Sequence, residues 1–136
     1  MKLKPIGIIY STYTDKGEAP KQGRLSDELQ KIEIFKEFSE GLKEIDKLKY
    51  IIILYWQDKS IRTKLLTTTP SSLDEEKGVF STRSPNRPNP IAFCIAKVID
   101  KKGNIITVKG LDALNGSYLI DIKPYISELD CISKEE

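Results

Sequence analysis

Hydrophobic and polar positions along this chain change period several times, and the changes outline its elements. Residues 5–10, PIGIIY, are short, apolar and β-branched, which predicts a strand. The polar stretch 11–24 carries Gly17, Pro20 and Gly23 and predicts a loop. Within 28–34, Ile32 and Ile34 alternate with Lys31 and Glu33 as on a half-buried strand. Leu29 has the opposite parity, so the strand is expected to start after it. From 35 to 48 the period shifts: Phe35, Phe38, Leu42, Ile45 and Leu48 recur at helical spacing among Lys and Glu. Gly41 weakens that helix by up to ~1 kcal/mol. KYIIILYW, 49–56, is a continuous apolar run of strand length, expected to be buried on both faces.

The second half is punctuated more closely. Residues 61–68 predict a strand, 67–77 a polar and acidic surface loop, and 78–82, GVFST, a further strand. RSPNRPNP, 83–90, cannot continue it, because its three prolines remove ladder donors and fix φ. IAFCIAKVID, 91–100, is a strong strand that turns through Gly103 into NIITVKGL, a hairpin. Asn115-Gly116 marks another turn before the strand 118–123. About seven short strands and one helix predict a mainly β chain, either a closed barrel or a sandwich, folded as one domain over 1–136.

Composition narrows the function more than the fold. Of 136 residues, 39% are hydrophobic and 31% charged, which suits a globular chain. Lys and Arg number 22 against 20 Asp and Glu, so any nucleic-acid face must be a local patch. The balance of Lys, Glu and Ile leans toward a thermophilic origin. The N-terminus has no signal-peptide stretch, and the run Tyr50–Trp56 is too short to span a bilayer, so a cytoplasmic protein without a membrane partner is expected. The two cysteines, Cys94 and Cys131, are expected to be free thiols. The chain contains no histidine, which excludes Ser-His or Cys-His catalysis and His-ligated metal. No dinucleotide fingerprint follows a strand and no phosphate-binding P-loop occurs. The expected reaction runs without a metal.

Two stretches concentrate polar chemistry. In 78–93, GVFSTRSPNRPNPIAF, the side chains Arg83, Asn86, Arg87 and Asn89 are braced by Pro85, Pro88 and Pro90. A pre-stiffened loop can present fixed donors to a carboxylate or phosphate at reduced entropic cost. In 110–125, GLDALNGSYLIDIKPY, Asp112 and Asp121 flank the Asn115-Gly116 turn, where they are placed to accept hydroxyls or an amine. Trp56, the sole tryptophan, ends the apolar run and suits either the core or a stacking role.

Together these two stretches resemble the TrmO (TsaA-like) tRNA methyltransferase family, whose pattern is close to GVFATRSPxRPNPIG followed by LDxxDGTPxxDIKPY. The likeness extends through Pro20, Lys21 and Gln22 and the buried strand ending in Tyr55-Trp56. It implies a compact β-barrel of six to seven strands with one or two short helices, binding S-adenosylmethionine (SAM) as a homodimer. It further implies N6-methylation of threonylcarbamoyl-adenosine beside the tRNA anticodon. By position, the implied cofactor residues are Pro20, Lys21, Gln22, Gln57, Asp58, Arg83, Phe93, Ala113, Leu114, Asn115 and Gly116. Arg24, Lys59, Arg62, Lys64 and Arg87 form the expected tRNA patch, and Asp58, Asp112 and Tyr125 are the candidate proton acceptors. The chain departs from the family at Gln57-Asp58, which replace Phe-His, at Asn115, which replaces Asp, and at Ser117-Tyr118, which replace Thr-Pro. Those changes leave two alternatives: a SAM-binding protein with another acceptor or none, and a small RNA-binding barrel without cofactor.

Overall fold

The computed structural model describes residues 1–14, 28–69 and 72–133. Eight strands are assigned: β1 (Gly7–Tyr10), β2 (Leu29–Ile34), β3 (Tyr50–Trp56), β4 (Leu66–Thr69), β5 (Ser72–Gly78), β6 (Ile91–Lys102), β7 (Ile105–Lys109) and β8 (Tyr118–Pro124). Six of them close an antiparallel barrel in the order β1-β2-β7-β6-β3-β8, while β4 and β5 form a separate two-stranded ribbon. Closure leaves the barrel no open sheet edge. The period-2 pattern explains the packing. Ile9, Ile32, Ile34, Ile51, Ile53, Tyr55, Cys94, Ala96, Ile106, Val108 and Leu119 point inward and make one core. Gly7 is required where β1 crosses β2, because a Cβ there would run into the Glu33 carbonyl oxygen.

Several elements differ from their predicted form. Residues 35–48 are not one α-helix but two 3₁₀ segments, Lys36–Leu42 and Ile45–Lys47, separated by Glu44 at φ 71°. Their apolar residues are spaced by three, four, three and three, nearer to three per turn than 3.6. β2 includes Leu29, which points outward and is 54% exposed, so its parity is satisfied inside the strand. β3 is buried on one face only, as befits a barrel wall. The predicted loop 67–77 is largely the β4–β5 ribbon, residues 61–65 precede that ribbon as turns, and GVFST begins a 3₁₀ turn at Val79–Ser81. Val79 is buried there while Phe80 is 77% exposed.

Antiparallel order sorts the connections between the two ends of the barrel. Strands β1, β3 and β7 all end at one end of the barrel, called the mouth below, with residues 11–14, the turn after Trp56 and the loop 110–117. The 3₁₀ segments, the β6–β7 hairpin and the chain beyond β8 lie at the other, as does the segment that leads into β1. A groove of about 830 Å³ at this far end is lined by Ile6, Phe38, Leu42, Ile45 and Ile122.

Candidate functional site

The mouth is plugged by the loop 110–117. Leu111 and Ala113 drop into the core, and the loop is stitched to the segment after β1. Ser11 Oγ donates to the Ala113 carbonyl at 2.8 Å, the Ser11 amide donates to Asn115 Oδ1 at 3.1 Å, and the amides of Asn115 and Gly116 donate to the carbonyls of Tyr13 and Ile9. Gly116 has φ 85°, the left-handed conformation its turn requires. Of the amides over 113–116, those of Ala113 and Leu114 have no partner among the described residues.

Beneath the plug the core turns polar. Gln30, 1% exposed, meets the main chain of Leu111 whichever way its amide is turned. Cys94 Sγ lies 3.1 Å from the Gly110 carbonyl oxygen. Tyr55 donates its hydroxyl to Asp112 Oδ1 at 2.6 Å. Burial pushes the Asp112 carboxyl above the ordinary carboxylate range, opposed by the hydrogen bond from Tyr55 and one from its own backbone. Burial and the neighbouring Asp112 charge raise the Tyr55 phenol as well.

The loop 82–90 borders the same end and is held by the main chain and one side chain of the turn after β3. Asn86 Oδ1 accepts from the Ile61 main-chain N–H at 2.9 Å, and the Gln57 main-chain N–H donates to the Pro90 carbonyl at 2.9 Å. Arg62 donates from Nε to the Pro88 carbonyl at 2.8 Å and from a terminal nitrogen to Asn89 Oδ1 at 3.3 Å. Its guanidinium also covers the Trp56 ring at 5.1 Å. Arg87 donates to the carbonyls of Thr82 and Ser84, both at 3.0 Å. Two arginines expected to face RNA thus brace the loop. Arg83 differs: it lies 5.1 Å over the ring of Phe93, with no hydrogen bond or ion pair among the described residues. Phe93 stands on the outer wall of β6, opposite Leu54 of β3. The guanidinium fork is therefore open to a carboxylate or phosphate.

Strand order puts the segments carrying Gln57, Asp58, Arg83, Asp112 and Ala113 to Gly116 at the same end, with Phe93 on the adjoining outer wall. Asp58 is exposed, and Lys59 reaches the Thr14 carbonyl at 3.4 Å. Lys64 is exposed before β4. Tyr125 is not with them. It follows β8 at the far end, its amide bonded to the Tyr50 carbonyl. Pro20, Lys21, Gln22 and Arg24 lie outside the described residues. The polar roles of Tyr55 and Ser60 have no signal in the sequence. Tyr55 reads there as one more apolar-run residue, and its partnership with Asp112 spans 57 positions. The buried Ser60 hydroxyl has no partner among the described residues.

The mouth carries a guanidinium suited to an anion and a partly buried carboxylate suited to a cation. The fold is a small antiparallel barrel with these groups on the loops of one end. The chain belongs to the family of the tRNA-methyltransferase O N-terminal domain, whose pattern it matches over residues 8–131. It is 48% identical over 136 residues to an S-adenosyl-L-methionine-binding protein of Archaeoglobus fulgidus, spanning all of this chain and 97% of that protein. It is 32% identical over 135 residues to the human tRNA (adenine(37)-N6)-methyltransferase, covering 93% of this chain and 30% of that one. The crystal structure of TrmO from Pseudomonas aeruginosa superposes with a TM-score of 0.81 at 25% identity. That match covers 98% of this chain and 60% of the Pseudomonas chain.

Proposed function

We propose that the protein binds SAM at the barrel mouth and transfers its methyl group to N6 of threonylcarbamoyl-adenosine beside the anticodon of tRNA. The observation that carries this reading is the convergence of the two signature loops, 82–90 and 110–117, at one end of the barrel. Family membership and the names of its relatives supply the reaction type.

SAM supplies an activated methyl on a sulfonium, so transfer needs in-line approach rather than a metal or a covalent enzyme intermediate. Positioning is then the main task of the protein. Arg83 binds the methionine carboxylate, and the amides of Ala113 and Leu114 read the adenine. Gln57 and Asp58, on the turn braced against Pro90, border the cofactor. Pro20, Lys21 and Gln22 are further cofactor contacts by family position, and Lys59, Lys64 and Arg24 contact the tRNA. Asp58 is the acceptor for the N6 proton, being exposed at the mouth, whereas Tyr125 lies at the other end. The protein acts as a homodimer, supported by the exposed Ile91 and Phe93 on one barrel wall.

The test is incubation with SAM and tRNA carrying threonylcarbamoyl-adenosine, followed by nucleoside mass spectrometry. A methylated product at that nucleoside is expected. SAM binding with no methyl on any tRNA selects the second reading, a SAM-binding protein with another acceptor, which Gln57-Asp58 in place of Phe-His favours.

A further inference from the structure

Resting on the SAM-binding reading, we infer that Asp112 is the counter-charge for the positive end of the bound cofactor, with Tyr55 as the residue that positions it. Asp112 is partly buried on the loop that plugs the mouth, one oxygen fixed by the Tyr55 hydroxyl at 2.6 Å. Among the described residues no Lys or Arg pairs with it. A desolvated carboxylate without a cation is costly to a fold unless something recovers that cost. Among the described residues one hydrogen bond from Tyr55 offsets part of that cost and no cation does. Tyr55 on β3, Cys94 on β6 and Tyr13 on the segment stitched to the loop carry no positive charge in any protonation state, and Gln30 on β2 is neutral. Arg83, a cation at this end with no ion pair among the described residues, is held over Phe93 on the outer wall. A ligand bearing both a carboxylate and a cation finds its two complements here. SAM bears a carboxylate, an ammonium and a sulfonium.

This placement argues against Asp112 as the proton acceptor. A counter-charge must stay ionised through the reaction; burial raises the Asp112 carboxyl, and the Tyr55 hydroxyl opposes that by favouring the ionised form. Among the described residues the Tyr55 hydroxyl donates only to Asp112, so its polar end acts through that carboxylate.

Titration calorimetry with SAM from pH 5 to 8, on wild type, Asp112→Asn and Tyr55→Phe, tests the assignment. Wild type is expected to weaken toward acid pH as Asp112 protonates. D112N should bind at least tenfold more weakly at pH 8 and show no such limb. Y55F should retain the limb but move it to higher pH, because the carboxylate loses the donor that favoured its charge. Thermal melts establish that each variant is folded. If D112N will not fold, the Y55F shift decides alone. Unchanged affinity and pH dependence in D112N, or an unmoved limb in Y55F, overturns the assignment while leaving SAM binding standing. Wild type that binds no SAM at any pH sinks the SAM reading itself.

Discussion

Arg83 and Asp112 are two charges at the mouth with no ion pair among the described residues, and each leads to a separable expectation. Arg83 makes only a ring contact, worth about 0.5–1 kcal/mol at an exposed site. Arg83→Ala should therefore leave the melting temperature nearly unchanged while weakening SAM by roughly tenfold or more, as loss of a charge-assisted pair does. Calorimetry alongside a thermal melt separates the two effects. Asp112 should behave in the opposite sense for stability. Its folded pKa is raised, so the folded state holds more protons than the unfolded chain, and stability falls as pH rises through the folded value. D112N removes that titration and keeps an acceptor for Tyr55. Chemical denaturation should show it gaining on wild type as pH rises above the ordinary carboxylate range, with the gap closing at acid pH. At this scale Arg83 was legible in the sequence because prolines crowd around it. Tyr55 was not, because a phenol inside an apolar run looks like core until its partner, 57 residues on, is seen.

At the scale of elements, the loop 82–90 owes its shape as much to the turn after β3 as to its own prolines. Arg62 holds Pro88 and Asn89 and stacks on Trp56, and Asn86 ties the loop back to Ile61. If Arg62 is a brace, Arg62→Lys should fail much as Arg62→Ala does, since an ammonium reproduces neither the fork nor the stack. SAM affinity should drop several-fold in both, with the salt dependence of tRNA binding unmoved. A phosphate contact would give the reverse: near-normal binding in the lysine variant and a smaller salt slope in the alanine variant. The sequence placed most strands but misjudged 35–48 and 61–82. In the first, five apolar residues at mixed spacing suit either kind of helix, and Glu44 with its positive φ breaks the run. In the second, the polar ribbon β4–β5 has no hydrophobic alternation because it lies outside the barrel.

For the whole molecule, closure concentrates stability in the inward row of β-branched residues. Ile53→Ala in the centre of β3 should cost about 2–5 kcal/mol in chemical denaturation, the range for emptying a packed core position. Gly7→Ala should also destabilise, by forcing β1 off Glu33, and should do so without touching SAM affinity in the fraction that remains folded. Turns and parity made a closed or packed β architecture readable from sequence. The choice of a barrel came from the family likeness, because strand order depends on pairings as remote as β1 with β8 that local pattern does not encode. The ordering of strands has a practical side as well. The described chain enters β1 and leaves β8 away from the mouth, so a biotin on the exposed thiol of Cys131, beyond β8, should anchor the protein to a sensor chip with its ligand rim facing the flow.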